Sequence, residues 1–441
     1  MRVLKALILS AAVGLCWAAA GQTSTATNAV VVTPAFVNAL AEELRLNHPA
    51  LHAARARTNA AAAETSAVRT WEDPTVHAGG MAADTMMRAQ EGDLIYGVGQ
   101  KLPLFGKPQA ARRTAQAGLA VEVAAEDYQF QTLRRDLAET AFRTAFAGQR
   151  VAIGEQDLAW LDTTLQALQA RYRTGRATLV EMLQLENERS KRATQLAADR
   201  DQLAHQRVRL NRLLGREFLS PWPTLELPPV AGAVFYNQQL VNFALQYEPM
   251  LKVKGAQVSQ AQAALEATRR QRLPDVNVGL ESRNYTGDGS FRQGMFVLSM
   301  NLPWGNARKY RSDIQRDEQR LKAVEHDLAD SRLSSREEVH LLTLKIEAAR
   351  REALLYRDEV LPRSEQALAS AGANWQTGEG SFRDVLDARR MVLEARLMHA
   401  RAVAEQYEML SDLVLCCGLG DLEALQMIGA QPETPTGEKG P

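Results

Sequence analysis

Cysteine is nearly absent, with three residues in 441, and none is placed for a disulfide framework. Cys16 lies in an N-terminal apolar stretch, and Cys416 and Cys417 are adjacent, a spacing that strains any bond between them. Those two read as small apolar residues at a helix end. No excess of one charge exists either: 52 basic and 52 acidic residues balance, so no basic face advertises nucleic acid. Aromatics make up 6% while Ala, Leu, Arg, Gln and Glu dominate, the composition of long helices rather than of a compact enzyme core. There is no Gly-rich phosphate cradle, nucleophile elbow or zinc signature, so no catalytic residue is nominated, no cofactor is implied, and the protein reads as no enzyme. Of seven histidines only His48 and His52 share a helical spacing, without a third ligand near them. Met81, Met86 and Met87, with His77, offer soft ligands of the type Cu(I) prefers, but read first as flexible filler, and no metal site is nominated.

Long apolar runs are missing beyond residue 21, so no transmembrane helix is expected. The first 20 residues, with Arg2 and Lys5, the run Ala6 to Leu15 and Ala18-Ala19-Ala20, have the layout of a cleaved secretory signal. Lipid attachment at Cys16 is the rival processing event, but Leu15 stands where a small residue is wanted. Export without a helical anchor leaves the periplasm or the outer membrane.

What is present is an internal duplication. Pro49-Ala50-Leu51 matches Pro249-Met250-Leu251; Pro74, Val76 and Gly79 match Pro274, Val276 and Gly279; and Leu102-Pro103 matches Leu302-Pro303, all at an offset of 200. Thr174-Gly175, Leu183 and Gly215 then match Thr377-Gly378, Leu386 and Gly418 at 203, a net insertion of three residues. The expected organisation is a first repeat at 34–215, a Pro-rich linker at 216–236, a second repeat at 237–425 and a flexible tail at 426–441.

Proline sorts the elements inside each repeat. None occurs from Gln109 to Ser220 or from Trp304 to Leu361, which predicts helices far longer than the globular mean. A helix over 107–172 would be roughly 100 Å long at 1.5 Å per residue. Such a helix needs partners, and Leu386, Leu393, Ala400, Tyr407 and Val414, like Leu196, Leu203 and Leu210, recur every seven residues as a coiled-coil seam. Before each long helix lies a β-hairpin with strands about ten residues long, the length of a tilted membrane-spanning strand. Four strands cannot close a barrel, and an open edge in hydrocarbon costs several kcal/mol per unpaired backbone group. Other copies of the chain must therefore complete the wall, and three would supply twelve strands.

The duplicated plan of helix, hairpin, long helix, glycine turn and helix resembles the TolC family of outer-membrane factors over roughly residues 34–425. Its most specific segment is Trp375-Gln376-Thr377-Gly378-Glu379-Gly380-Ser381-Phe382-Arg383-Asp384-Val385-Leu386-Asp387, similar to the family's periplasmic-tip signature, with Tyr172 to Leu183 as its first-copy partner. Gly99 to Lys107 is also similar to the strand-to-helix junction of the heavy-metal branch, the CusC and CzcC type. The resemblance implies a mainly α fold with a β-barrel portion: a homotrimer with a 12-stranded barrel in outer-membrane lipid and an α-helical barrel in the periplasm. It also implies export, with heavy-metal cations as one cargo class, through a periplasmic adaptor and an inner-membrane transporter of RND or ABC type. A type I secretion duct and a periplasmic coiled-coil scaffold or adaptor remain as alternatives.

The resemblance places Glu181, Asp384 and Asp387 at the closed end of the tunnel, where rings of carboxylate would favour cations. Thr178 with Glu181 and Ser381 with Asp384 are also spaced as capping boxes, and capping alone accounts for both pairs. Where the family's tip often carries a tyrosine and a basic residue, this chain has Trp375 and Gly380, so Arg173 or Arg176 is expected to supply the cation. Thr174, Gly175, Thr377 and Gly378 form the turns expected to dock an adaptor.

Overall fold

A computed structural model describes residues 29–68, 71–80, 93–285, 289–420 and 424–425. The expected signal with Cys16, the methionines at 81, 86 and 87, and the tail at 426–441 lie outside these residues.

Proline sets the helix starts. α1 (Pro34–Asn47) opens with the Thr33 hydroxyl accepting from the Phe36 N–H at 3.2 Å, and α2 (Pro49–Ala67) opens on Pro49, whose missing N–H would have no partner there. His48 sits between them, its Nδ1 accepting from the Ala50 N–H at 3.1 Å, so this histidine is a cap. The second copy repeats the break, with α5 (Gln238–Tyr247) followed by α6 (Pro249–Gln271). The matched Pro49 and Pro249 are thus matched helix starts.

Each short helix pair leads into a hairpin. β2 (Thr75–Gly80) and β3 (Asp93–Leu102) form the first, and β5 (Val276–Tyr285) and β6 (Phe291–Met300) the second. The hairpins join through β3 and β5 into one antiparallel sheet ordered β2-β3-β5-β6. β1 (Ala29–Val31) and β4 (Thr224–Glu226) make a separate parallel pair that the sequence did not reveal.

From the sheet, α3 (Lys107–Arg173) runs for 67 residues, about 100 Å, and α4 (Leu179–Leu214) returns beside it. In the second copy α7 (Ala307–Leu355) passes through a π-helical turn at Tyr356–Val360 into α8 (Leu361–Thr377), and α9 (Phe382–Cys416) returns. Pro362 does not end this helix. The Leu361 N–H donates to Tyr356 O, five residues back, and the proline falls in the first turn of α8, where it removes no needed donor. Along α9 the heptad residues Leu386, Leu393, Ala400 and Tyr407 are all buried. Among the described residues no helix is long and apolar enough to cross a membrane.

The main core lies midway along α3 and at the ends of α4 and α9, where Leu44, Phe142, Leu213, Val234, Leu240, Ile346 and Leu413 pack together. The Pro-rich join is part of it rather than a free linker. Tyr407 donates to Pro229 O at 2.9 Å, Gln406 exchanges two hydrogen bonds with the Ala231 backbone, and Glu347 accepts from the Val234 N–H at 2.7 Å. Cys416 and Cys417 are buried free thiols, and burial pushes the Cys417 thiol up to about 12. Nearer the sheet, Thr268 donates to Asp317 at 2.7 Å, and the Arg316 guanidinium beside Asp317 holds its carboxyl down at about 2, which ties α6 to α7.

Candidate functional site

The strand register assigns alternate residues to two faces. Val76 is opposite Val98, Val98 opposite Leu280, and Leu280 opposite Phe296, with Tyr96, Val278, Leu298 and Met300 on the same side. Along this row Val76 is 77% exposed, Leu280 68% and Phe296 65%. A contiguous apolar face of this kind is unsuited to water and suited to hydrocarbon. The reverse face carries His77, Gly97, Gly99, Lys101, Gly279, Glu281, Arg283 and Gln293. Here Gly97 has a definite purpose: His77 Nε2 reaches over it to within 3.7 Å of Glu281, and a Cβ at 97 would lie 2.6 Å from that nitrogen. The first face is apolar apart from Gln100, Ser282 and Asn284, the second mixes its polar groups and glycines with Ile95, Met295 and Val297, and the edge strands β2 and β6 have no outer neighbour among the described residues.

At the far end the two helical hairpins close in matching turns. Gly175, at φ +70°, follows α3, with the Arg176 N–H donating to Arg171 O at 2.9 Å; Gly378, at φ +86°, follows α8, with the Glu379 N–H donating to Asn374 O at 2.9 Å. Both are left-handed caps that only glycine adopts without strain. Thr174 closes the first turn with its hydroxyl on Arg171 O, and Thr377 does the same on Asn374 O. Both returning helices open with a capping box: Thr178 N–H to Glu181 at 2.7 Å and Glu181 N–H to Thr178 at 3.3 Å, then Ser381 N–H to Asp384 at 3.2 Å and Asp384 N–H to Ser381 at 3.3 Å. Glu181 and Asp384 are thus engaged as caps. Asp387, one turn on, is half exposed and is held by Arg390 at 3.2 Å and Arg383 at 3.7 Å.

The cation that meets Trp375 within one chain is Arg171. Its guanidinium lies 4.1 Å from the Trp375 ring centroid, and the ring also packs on Phe382 at 5.2 Å. Arg173 and Arg176 are exposed, and their side chains meet no partner among the described residues. Around this contact Leu161, Leu168, Leu185, Phe382, Val385 and Leu386 form a small core that joins the hairpins. Replacing Trp375 by alanine removes both the packing and the cation–π contact. The expected cost is about 2–3 kcal/mol at the tip, read as faster amide hydrogen exchange over 375–385, with Trp375→Phe restoring most of the protection. Exchange as slow as in the native chain would show that the ring does not hold the tip.

Sequence reasoning missed two charged clusters. Asp157, 2% exposed, receives Arg192 at 2.8 Å and Arg389 at 2.9 Å, joining α3, α4 and α9, while Arg389 also covers the Trp160 ring at 4.9 Å. The available signal was a lone carboxylate in the otherwise apolar seam of Ile153, Leu161 and Leu168. Arg390 bridges Asp387 and Glu188, and its hydrogen bond at 2.7 Å holds the Glu188 carboxyl below the usual carboxylate range. Among the described residues no three metal-ligating side chains converge.

Comparison with known proteins follows the same lines. The sequence profile described as outer membrane efflux protein matches residues 40–216 and 240–419. The cobalt-zinc-cadmium resistance protein CzcC of Cupriavidus metallidurans is 22% identical over 281 residues, which are 63% of this chain and 65% of the relative. This chain therefore aligns with just under two thirds of that relative's length. Among solved structures the fold is similar to CusC, with a TM-score of 0.77 at 18% identity over 87% of this chain and 92% of that one. It is also similar to the outer membrane protein VceC of Vibrio cholerae, with a TM-score of 0.74 at 19% identity over 88% and 97%. Because the two profile matches together take in most of the sequence, the chain belongs to the outer membrane efflux protein family, and its place is the outer membrane.

Proposed function

We propose that three copies of this chain close a twelve-stranded barrel and form the exit duct of a tripartite efflux system. The observation that carries this reading is the four-stranded sheet with one largely apolar face and two edges that are unpaired among the described residues. Each β2 edge needs the β6 of a neighbour, because backbone groups left open in hydrocarbon are too costly. The polar face, with Glu281, Arg283 and His77, then lines a water-filled passage, and the helices continue it through the periplasm. A periplasmic adaptor is taken to dock on the turns at Thr174, Gly175, Thr377 and Gly378, and an inner-membrane transporter of RND or ABC type to feed the duct. Heavy-metal cations are the cargo class supported by the likeness to CzcC, a protein named for cobalt, zinc and cadmium resistance. No catalytic step belongs to this reading.

At the tip Asp387, with Asp384 and Glu181 beside it, forms the cation-favouring ring, and Trp375 with Arg173 contributes to closure between neighbouring copies. Detergent-extracted protein should run as a trimer and conduct in planar bilayers with a preference for cations. Asp387→Asn should lower that preference roughly twofold, read from the reversal potential in a salt gradient. A monomer without conductance would end the duct reading, and unchanged selectivity would remove Asp387 from the ring.

A further inference from the structure

Beneath the sheet, the ends of α3, α6 and α7 pack side by side, α6 lying between the other two. They carry Arg112 and Arg113 on the second turn of α3, Arg272 at the end of α6, and Arg308, Lys309 and Arg311 on the first turns of α7. All six are exposed, and none has a carboxylate partner among the described residues. The carboxylates nearby are already engaged: Glu72 and Asp275 with Lys101 and Lys107, Glu266 with Arg269, and Asp313 with Arg316. The level therefore holds a surplus of positive charge in a chain whose total charge is zero.

Large aromatic residues share that level. Trp71 is 55% exposed, Phe105 46% and Trp304 63%, each in the segment that leads into or out of the sheet. Phe105 is the one non-glycine among the described residues with positive φ, at 57°. A bulky side chain is strained there, and the turn is kept by Gly106 at φ +66° and by Arg270, which donates to Phe105 O at 3.0 Å. The chain thus spends strain to present an aromatic ring at the foot of the apolar band. Exposed aromatics rimming such a band, with cations just outside it, suit the boundary between hydrocarbon and headgroups.

We propose that Arg112, Arg113, Arg272, Arg308, Lys309 and Arg311 form a collar that binds the phosphate groups of anionic phospholipids in the periplasmic leaflet of the outer membrane. The collar lies on the helical side of the sheet, so the headgroups it meets are those of the inner leaflet. This rests on the reading of the sheet as membrane-spanning. Each copy supplies one third of the collar.

The test is a titration of the detergent-extracted protein with fluorescent phosphatidylglycerol and phosphatidylcholine in neutral micelles. The native chain should prefer phosphatidylglycerol by about tenfold, and Arg272→Gln/Arg308→Gln/Arg311→Gln should bring this below about threefold. Arg332→Gln/Arg336→Gln, exposed cations about 36 Å further along α7, should leave the preference intact. Equal affinity of the native chain for the two lipids, or equal loss in both variants, overturns the collar. So does a triple variant that keeps its lipid preference but changes ion selectivity in bilayers, since its cations would then line the passage. A preparation that conducts in bilayers without any lipid preference rules out the collar alone, whereas one that does not conduct rules out the membrane-spanning sheet beneath it.

Discussion

Gly418→Ala is expected to cost the fold about 3–5 kcal/mol, one of the largest effects of any single methyl group in the chain. Gly418 caps α9 at φ +61°, and a Cβ there would press into the backbone of Tyr247, 2.9 Å from that residue's own Cβ and well inside contact with its carbonyl. Two costs add: the left-handed backbone disfavours alanine, and the end of α5 would have to withdraw from α9. Gly215 holds the same place in the first copy, at φ +67° against Asn47, but a Cβ there would sit 3.0 Å from the Asn47 carbonyl oxygen, so Gly215→Ala should cost less, about 2 kcal/mol. Denaturation followed by helical circular dichroism in detergent should rank native, Gly215→Ala and Gly418→Ala in that order. A Gly418→Ala midpoint within the error of the native one would show that α5 and α9 do not press on each other here.

Asp157→Ala is expected to cost about 3–4 kcal/mol, because it strands Arg192 and Arg389 without their shared carboxylate. The side chains are 2%, 20% and 12% exposed respectively, so water replaces little of what is lost. The penalty belongs to breaking the cluster, so replacing all three residues by apolar ones of similar size, Asp157→Leu with Arg192→Met and Arg389→Met, should recover most of the stability. Thermal melts of the two variants decide this. If the triple variant melts as low as Asp157→Ala, the cluster contributes by something other than mutual neutralisation.

The parts of this fold that were legible in the sequence are those governed by local rules. Proline-free stretches and heptads gave the long helices, Gly175 and Gly378 gave the turns, and Thr178 with Glu181 gave a cap, since each depends on residues a few positions apart. What depends on distant partners was not legible. The pairing of β3 with β5 joins residues nearly two hundred positions apart, and nothing in either strand names its partner. Arg171, rather than Arg173 or Arg176, meets Trp375 because positions two apart on a helix point about 200° away from each other, and the sequence does not say which direction faces the second copy. The Pro-rich join read as a linker because proline disfavours regular structure, while the groups that bind it, Glu347, Gln406 and Tyr407, come from helices of the other repeat.

The π-helical turn at Tyr356–Val360 lies in the longer of two unequal outgoing arms. The returning helices are matched, with 37 steps from Thr178 to Gly215 and 37 from Ser381 to Gly418, so both hairpins reach the same depth from the core. The outgoing helices are not matched: 71 steps separate Pro103 from Thr174 and 74 separate Pro303 from Thr377. Three surplus residues fall just short of one helical turn of about 3.6. The single wide turn, bonded five residues back instead of four, takes up one of these three residues without breaking the rod. Beyond it, the side chains of α8 are re-phased against those of α7, so two halves of common plan turn different sides toward their neighbours.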